Sequence, residues 1–336
     1  MNLKSFLSPA AGLVLLGCFS FASCSKKAES TTQPQLPPSP SAFPAGTNRS
    51  EVWDITLPAT ATSGAMEVTE WVSYQYGEIN LGVTTSVDPG YVMVGGGAQV
   101  RDPNNTPNNV DAVLTAAYPV PDGNFATYAA SDKDHGGIFY NSDLYVYVIG
   151  IKLFSQSGTV IPTSSITNNL AIISGTSGSA EHPFITLPVT SGYTLISGGA
   201  QDNYGTGYGN LLTENNYDDG ASYAGGKDQK EPDPCTITAY ALEWNNQPIP
   251  GYGSFLLTYQ NGQAIVNQRL MSLSVGALGG CAVAGVGGVS TYTGYGRLLY
   301  GVYSPAYNVG EFQSKDQDVS DISGALGGVV TSIAPK

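Results

Sequence analysis

Between residues 51 and 336 the chain holds six lysines: Lys133, Lys152, Lys227, Lys230, Lys315 and Lys336. Three of them recur in one local pattern: Lys133-Asp134-His135, Lys227-Asp228-Gln229 and Lys315-Asp316-Gln317. An ammonium offers three donors, a carboxylate only acceptors, and a histidine or glutamine both. Sugar hydroxyls are donor and acceptor at once, so such a cluster complements a glycan. Tyr128 and Tyr223 stand near the triplets, and so do Tyr118, Tyr217, Tyr303 and Tyr307. A tyrosine presents an apolar face to a pyranose ring and a hydroxyl at its tip. Three weak equivalent sites would reinforce one another by multivalency. A plainer role fits the same residues: strand-end turns, with the aspartate capping loop N–H groups and the lysine stem lying on a tyrosine. Both readings stay open at this point.

Other chemistry is thinly supplied. The two histidines, His135 and His182, fall in different parts of the chain, and His182 precedes Pro183 as a turn residue would. No His-Glu-x-x-His, Gly-x-Ser-x-Gly or phosphate-binding loop occurs. Glu214, Asp218 and Glu243 could serve a glycosidase, which needs two carboxylates about 5–10 Å apart, but nothing in the sequence pairs them. Acidic groups such as Asp316-Gln317-Asp318 with Asp321, Asp218-Asp219, and Asp132 with Asp134 lack the spacing of a calcium loop and read as solvated turns. No metal, cofactor or catalytic residue is expected. Cys235 and Cys281 are candidates for a disulfide, which would close a loop of about 46 residues and contribute on the order of 4 kcal/mol. Two buried thiols are the alternative.

The elements that carry these residues repeat. Gly90-Tyr91-Val92-Met93-Val94-Gly95-Gly96-Gly97-Ala98-Gln99 matches Gly192-Tyr193-Thr194-Leu195-Ile196-Ser197-Gly198-Gly199-Ala200-Gln201, and Gly280 to Val289 is a weaker third copy. Val113-Leu114-Thr115, Leu211-Leu212-Thr213 and Leu298-Leu299-Tyr300 follow, and then the lysine triplets, spaced 94 and 88 residues apart. Three units result, over residues 66–160, 161–250 and 251–336, after a lead-in at 51–65. β-branched and aromatic runs such as Thr236–Trp244, broken by Gly-rich turns, give each unit five or six short antiparallel strands. The expected fold is all-β. Glycine within a strand implies close approach of another backbone. One such segment per unit therefore favours a single threefold, β-prism-like body over three tandem β-sandwiches. Leu144–Ile151 is apolar on both faces, as a strand covered on both sides would be.

Composition agrees. Glycine is 42 of 336 residues and charged residues are 12%, which disfavours coiled coils and long surface helices. Residues 51–336 carry nine basic and 25 acidic residues. That balance excludes nucleic acid as a partner, because phosphate neutralisation needs cations.

The N-terminus reads as an address. Lys4 precedes an apolar run from Phe6 to Ala22, too short for a comfortable membrane span and placed as a secretory signal is. Phe21-Ala22-Ser23-Cys24, and alternatively Leu15-Leu16-Gly17-Cys18, resemble the lipobox of bacterial lipoprotein signal peptides. The resemblance covers only residues 1–24. It implies cleavage before Cys24 (alternatively Cys18), acylation of that cysteine, and an exported protein held to the outer membrane of a Gram-negative cell by its lipid. Residues 25–50, with five prolines, read as a disordered tether. The expected function is therefore a lipid-anchored, non-catalytic binding module for a glycan or another cell-surface ligand. A structural or protein-interaction envelope lipoprotein and a carbohydrate-active hydrolase are the alternatives.

Overall fold

A computed structural model describes residues 48–77, 81–102, 112–134, 142–204, 210–228, 232–266, 268–292, 296–316 and 324–336. The signal-like segment, Cys18, Cys24 and residues 25–47 lie outside them. The body is all-β. It opens with β1 (Asn48–Leu57), which begins three residues inside the stretch read as a tether. Six strands follow for the first repeat: β2 (Met66–Gly77), β3 (Gly82–Ser86), β4 (Val92–Arg101), β5 (Ala112–Pro119), β6 (Thr127–Asp134) and β7 (Ser142–Leu153). A single helical turn, α1 (Thr163–Thr167), leads to the second: β8 (Leu170–Thr176), β9 (Phe184–Pro188), β10 (Thr194–Asn203), β11 (Asn210–Tyr217), β12 (Ala221–Asp228) and β13 (Thr236–Trp244). The third holds β14 (Phe255–Ile265), β15 (Leu270–Gly276), β16 (Ala282–Thr291), β17 (Arg297–Ala306), β18 (Val309–Asp316) and β19 (Ala325–Pro335).

The repeats interlock. The first sheet runs β1-β2-β7-β4-β17-β18-β15, the second β3-β6-β5-β10-β13-β8, and the third β14-β19-β16-β11-β12-β9. Every repeat thus gives three strands to one sheet and three to another, and every sheet is shared by two repeats. Tandem sandwiches would each keep their own strands, so the single threefold body is the observed architecture. The sheets are antiparallel and none closes into a barrel.

Sequence dictates the shared details. A tight turn precedes each glycine strand, with Gly90, Gly192 and Gly280 at φ of 93°, 86° and 82°. The Tyr91, Tyr193 and Cys281 amides donate back across it to the Asp88, Thr190 and Leu278 carbonyls. In the first of these turns Pro89 stands at the second position and Gly90 at the third, the residues a type II turn requires. Each glycine strand then carries a bulge, between Met93 and Gly95, Leu195 and Ser197, and Val283 and Gly285. At these bulges β4, β10 and β16 meet. The Ser197 Oγ donates to the Val94 carbonyl at 2.9 Å. A Cβ on Gly95 would run into the Ala284 carbonyl, and one on Gly285 would press on Ser197 and Ile196. Around this junction Val92, Val94, Ile196, Ala282, Val286, Val302, Phe312 and Val330 form the largest apolar core.

Candidate functional site

The lysine triplets end β6, β12 and β18, with Lys133, Lys227 and Lys315 paired to Val113, Leu211 and Leu298. The three lysines are equivalent, as the spacing requires, but they are not offered to solvent: they are 9%, 7% and 2% exposed. The Lys133 ammonium lies 4.4 Å from the centre of the Tyr204 ring, a residue that follows β10 of the next repeat. The Lys227 ammonium stands 3.6 Å from Asp228 Oδ1, which His182 Nε2 also meets at 3.0 Å. Asp316 is enclosed and bound by Arg269 Nε at 3.0 Å. Beside it the buried Arg297 donates to the Arg269 and Ser314 carbonyls. Asp132 accepts from the Leu81 amide and from Ser142 Oγ, and burial pushes its carboxyl up to about 7. These are seams between neighbouring strands, built as packed corners. His135, Gln229, Gln317 and the Asp134 side chain lie outside the described residues.

The companion tyrosines separate. Tyr128 is fully enclosed, with the Gly96 backbone against its ring, so it cannot face a ligand. Tyr118 and Tyr217 are enclosed as well. Tyr223 is half-buried, and its hydroxyl donates to Asp218 Oδ2 at 2.7 Å. It lies four residues from Lys227 on the same strand, about 13 Å away. Asp218 also accepts from the Gly220 and Ala221 amides, so this acidic group shapes its own turn. Glu243 is fully buried and accepts from the Thr190 amide. Glu214 stands within β11 and Asp218 in the turn that follows it, where its carboxylate is engaged by the Gly220 and Ala221 amides.

Cys235 and Cys281 are both buried free thiols, which corrects the disulfide expectation. Cys235 Sγ donates to Asp202 Oδ1 at 2.6 Å and accepts from Asn210 Nδ2 at 2.8 Å. It therefore belongs to the far end of β10. Cys281 precedes β16 at the turn end, where the second repeat has Tyr193. The two flank strands of different sheets, Cys235 before β13 and Cys281 before β16. Asp202 is enclosed, its second oxygen has no partner among the described residues, and burial pushes its carboxyl up to about 7.

A different polar-aromatic surface emerges on the first sheet. Register places Tyr74, Tyr145, Gln99, Gly301 and Gln313 in one row across β2, β7, β4, β17 and β18. Tyr76, Asp143 and Arg101 form the row beside it. The Tyr74 and Tyr145 rings stack at 5.0 Å, and Tyr76 meets Tyr74 edge-on at 5.0 Å while remaining 56% exposed. The exposed Arg101 guanidinium lies 4.1 Å above Tyr145. Its Nε donates to Gln99 Oε1 at 2.6 Å and its Nη2 to the Tyr147 hydroxyl at 3.0 Å. Gln99 Nε2 donates to Tyr303 OH and to Gln313 Oε1. Below, Tyr147 and Tyr303 stack at 5.2 Å. The rings are thus held at fixed spacing by neutral amides and one cation.

Sequence reading missed this face. The signal was present as tyrosines two apart, Tyr74 and Tyr76, Tyr145 and Tyr147, which share one side of a strand. Leu144–Ile151 instead read as apolar throughout. Chemically the face can stack and hydrogen-bond; among the described residues it holds no nucleophile paired with a base. No protein-family model matches the chain, and no curated protein matches it either.

Proposed function

We propose that the protein is an exported, lipid-anchored binding module whose ligand is a glycan of a cell surface, engaged by the tyrosine face of the first sheet. One observation carries this reading: the stacked Tyr74 and Tyr145 rings, capped by Arg101 and flanked by the open Tyr76. Rigid aromatic rings cost little conformational entropy on binding and match the C–H face of a sugar. Arg101, Gln99 and Gln313 supply donors and acceptors at the rim. The tether is part of the proposal. β1 starts at Asn48, paired with Tyr74, so the chain joins the body at the edge of the binding face.

The test is a glycan array probed with the full-length chain in a sugar-free detergent. Wild type binds a restricted set of glycans, and Tyr74→Ala with Tyr145→Ala weakens that binding at least tenfold without loss of the β-sheet circular dichroism. Uniformly absent binding contradicts the reading, and so does binding indifferent to both tyrosines.

A further inference from the structure

The pseudo-threefold register gives the tyrosine row two counterparts. Where the first sheet pairs Tyr74, Tyr145 and Gln99, the second pairs Thr176, Thr238 and Gln201, and the third pairs Gln263, Gly327 and Val289. In the second sheet the threonines close on each other at 2.9 Å, and Asn203 Nδ2 caps Thr238 at 2.8 Å. In the third sheet the ring of Tyr145 has no replacement. Its place is Gly327, the place of Arg101 is Thr291, and the place of Tyr303 is Asn216. The result is a cleft of about 330 Å³ lined by Asn216, Asn261, Gln263, Val289, Thr291 and Gly327 among others.

We infer that this cleft is a second binding site and that it takes an uncharged saccharide. Among the described residues no ionised side chain lines it. Asn261 and Gln263 are exposed, and their amides bond to no other described residue. Each amide has two N–H donors and a carbonyl acceptor, the complement of a vicinal diol. Val289 and the Gly327 backbone provide an apolar floor for the C–H face of a ring. Glu214, paired to Val289, stands at the margin, two residues before Asn216 on β11. The cleft crosses β14, β19, β16 and β11, whereas an added peptide strand would run along an edge and use its backbone ladder. Its volume lies at the lower end of small-ligand pockets. The inference shares the glycan chemistry of the proposed function but rests on another sheet and other residues.

The experiment is an array of neutral and anionic oligosaccharides probed with the full-length chain in a zwitterionic, sugar-free detergent. Three forms are compared with wild type: Asn261→Ala with Gln263→Ala, Gly327→Tyr, and Tyr74→Ala with Tyr145→Ala. Binding of neutral glycans is expected to fall at least tenfold in both cleft forms and to persist in the tyrosine form. If Gly327→Tyr does not fold, the exposed double alanine form decides. Neutral-glycan binding that survives Asn261→Ala with Gln263→Ala overturns the cleft site. When that binding is instead lost with the tyrosines alone, the proposed function stands without the cleft; when no glycan on the array, neutral or anionic, depends on the tyrosines, the tyrosine face falls and the cleft remains. No binding by wild type overturns both.

Discussion

Tyr145 and Asp202 show two opposite uses of a polar side chain. Tyr145 is half-buried between Tyr74 and Arg101 and holds both in place, so a ligand feels its removal through those two neighbours. Tyr145→Ala is expected to weaken glycan binding about tenfold, close to 1.4 kcal/mol, while thermal unfolding moves little. Asp202 and Asp132 are enclosed and keep their protons to about pH 7, against an ordinary value of 3.8. The unfolded chain releases those protons near pH 4. Between the two values the folded state binds more protons, so stability is full below about pH 4 and falls as pH rises to 7. The loss is on the order of a few kcal/mol. Glu70, fully buried, is pushed the same way by burial, against a smaller opposing effect from Trp53. Melting temperature should therefore be higher at pH 5 than at pH 8, and Asp132→Asn or Asp202→Asn should flatten the dependence. A melting temperature that rises over this range would contradict it.

The glycine strands β4, β10 and β16 decide how the repeats assemble. Their equivalence was legible because turn glycines, a strand and a glycine segment recur in one order. The ten-residue match also carried an offset in the third copy, which the register bears out. Register aligns Gly97, Gly199 and Gly287, so Gly288 stands where the other repeats have Ala98 and Ala200. The bulges were invisible, since an extra residue in a strand leaves no mark in a list of residue types. The lysine triplets were legible as equivalent positions and illegible as to depth. Whether a strand-end lysine reaches water depends on groups such as Tyr204, which packs on Lys133 from the next repeat and lies far from it in sequence. At the junction Gly95 faces the Ala284 carbonyl. Gly95→Val puts side-chain atoms into that backbone and is expected to cost about 3 kcal/mol or more, measured by urea unfolding. A cost under 0.5 kcal/mol would show that the three strands do not meet there.

For the molecule as a whole, shared sheets mean shared stability. Deleting residues 251–336 removes β17, β18 and β15 from the first sheet and β14, β19 and β16 from the third. Neither sheet keeps its inner face, so the truncated chain should not fold. Calorimetry of the intact body should give one transition whose calorimetric and van't Hoff enthalpies agree, where independent sandwiches would give separable ones. The threefold frame also explains how one architecture supports different surfaces: one row of positions carries stacked tyrosines on the first sheet, threonines on the second and a cleft on the third. The most direct measurement is carbon-13 NMR of ring-labelled tyrosines in the full-length chain, titrated with a glycan selected on the array. Tyr74, Tyr76 and Tyr145 signals should shift on binding while those of the enclosed Tyr118, Tyr128 and Tyr217 stay in place. Shifts that spare the first three rings would contradict the tyrosine face as the binding surface.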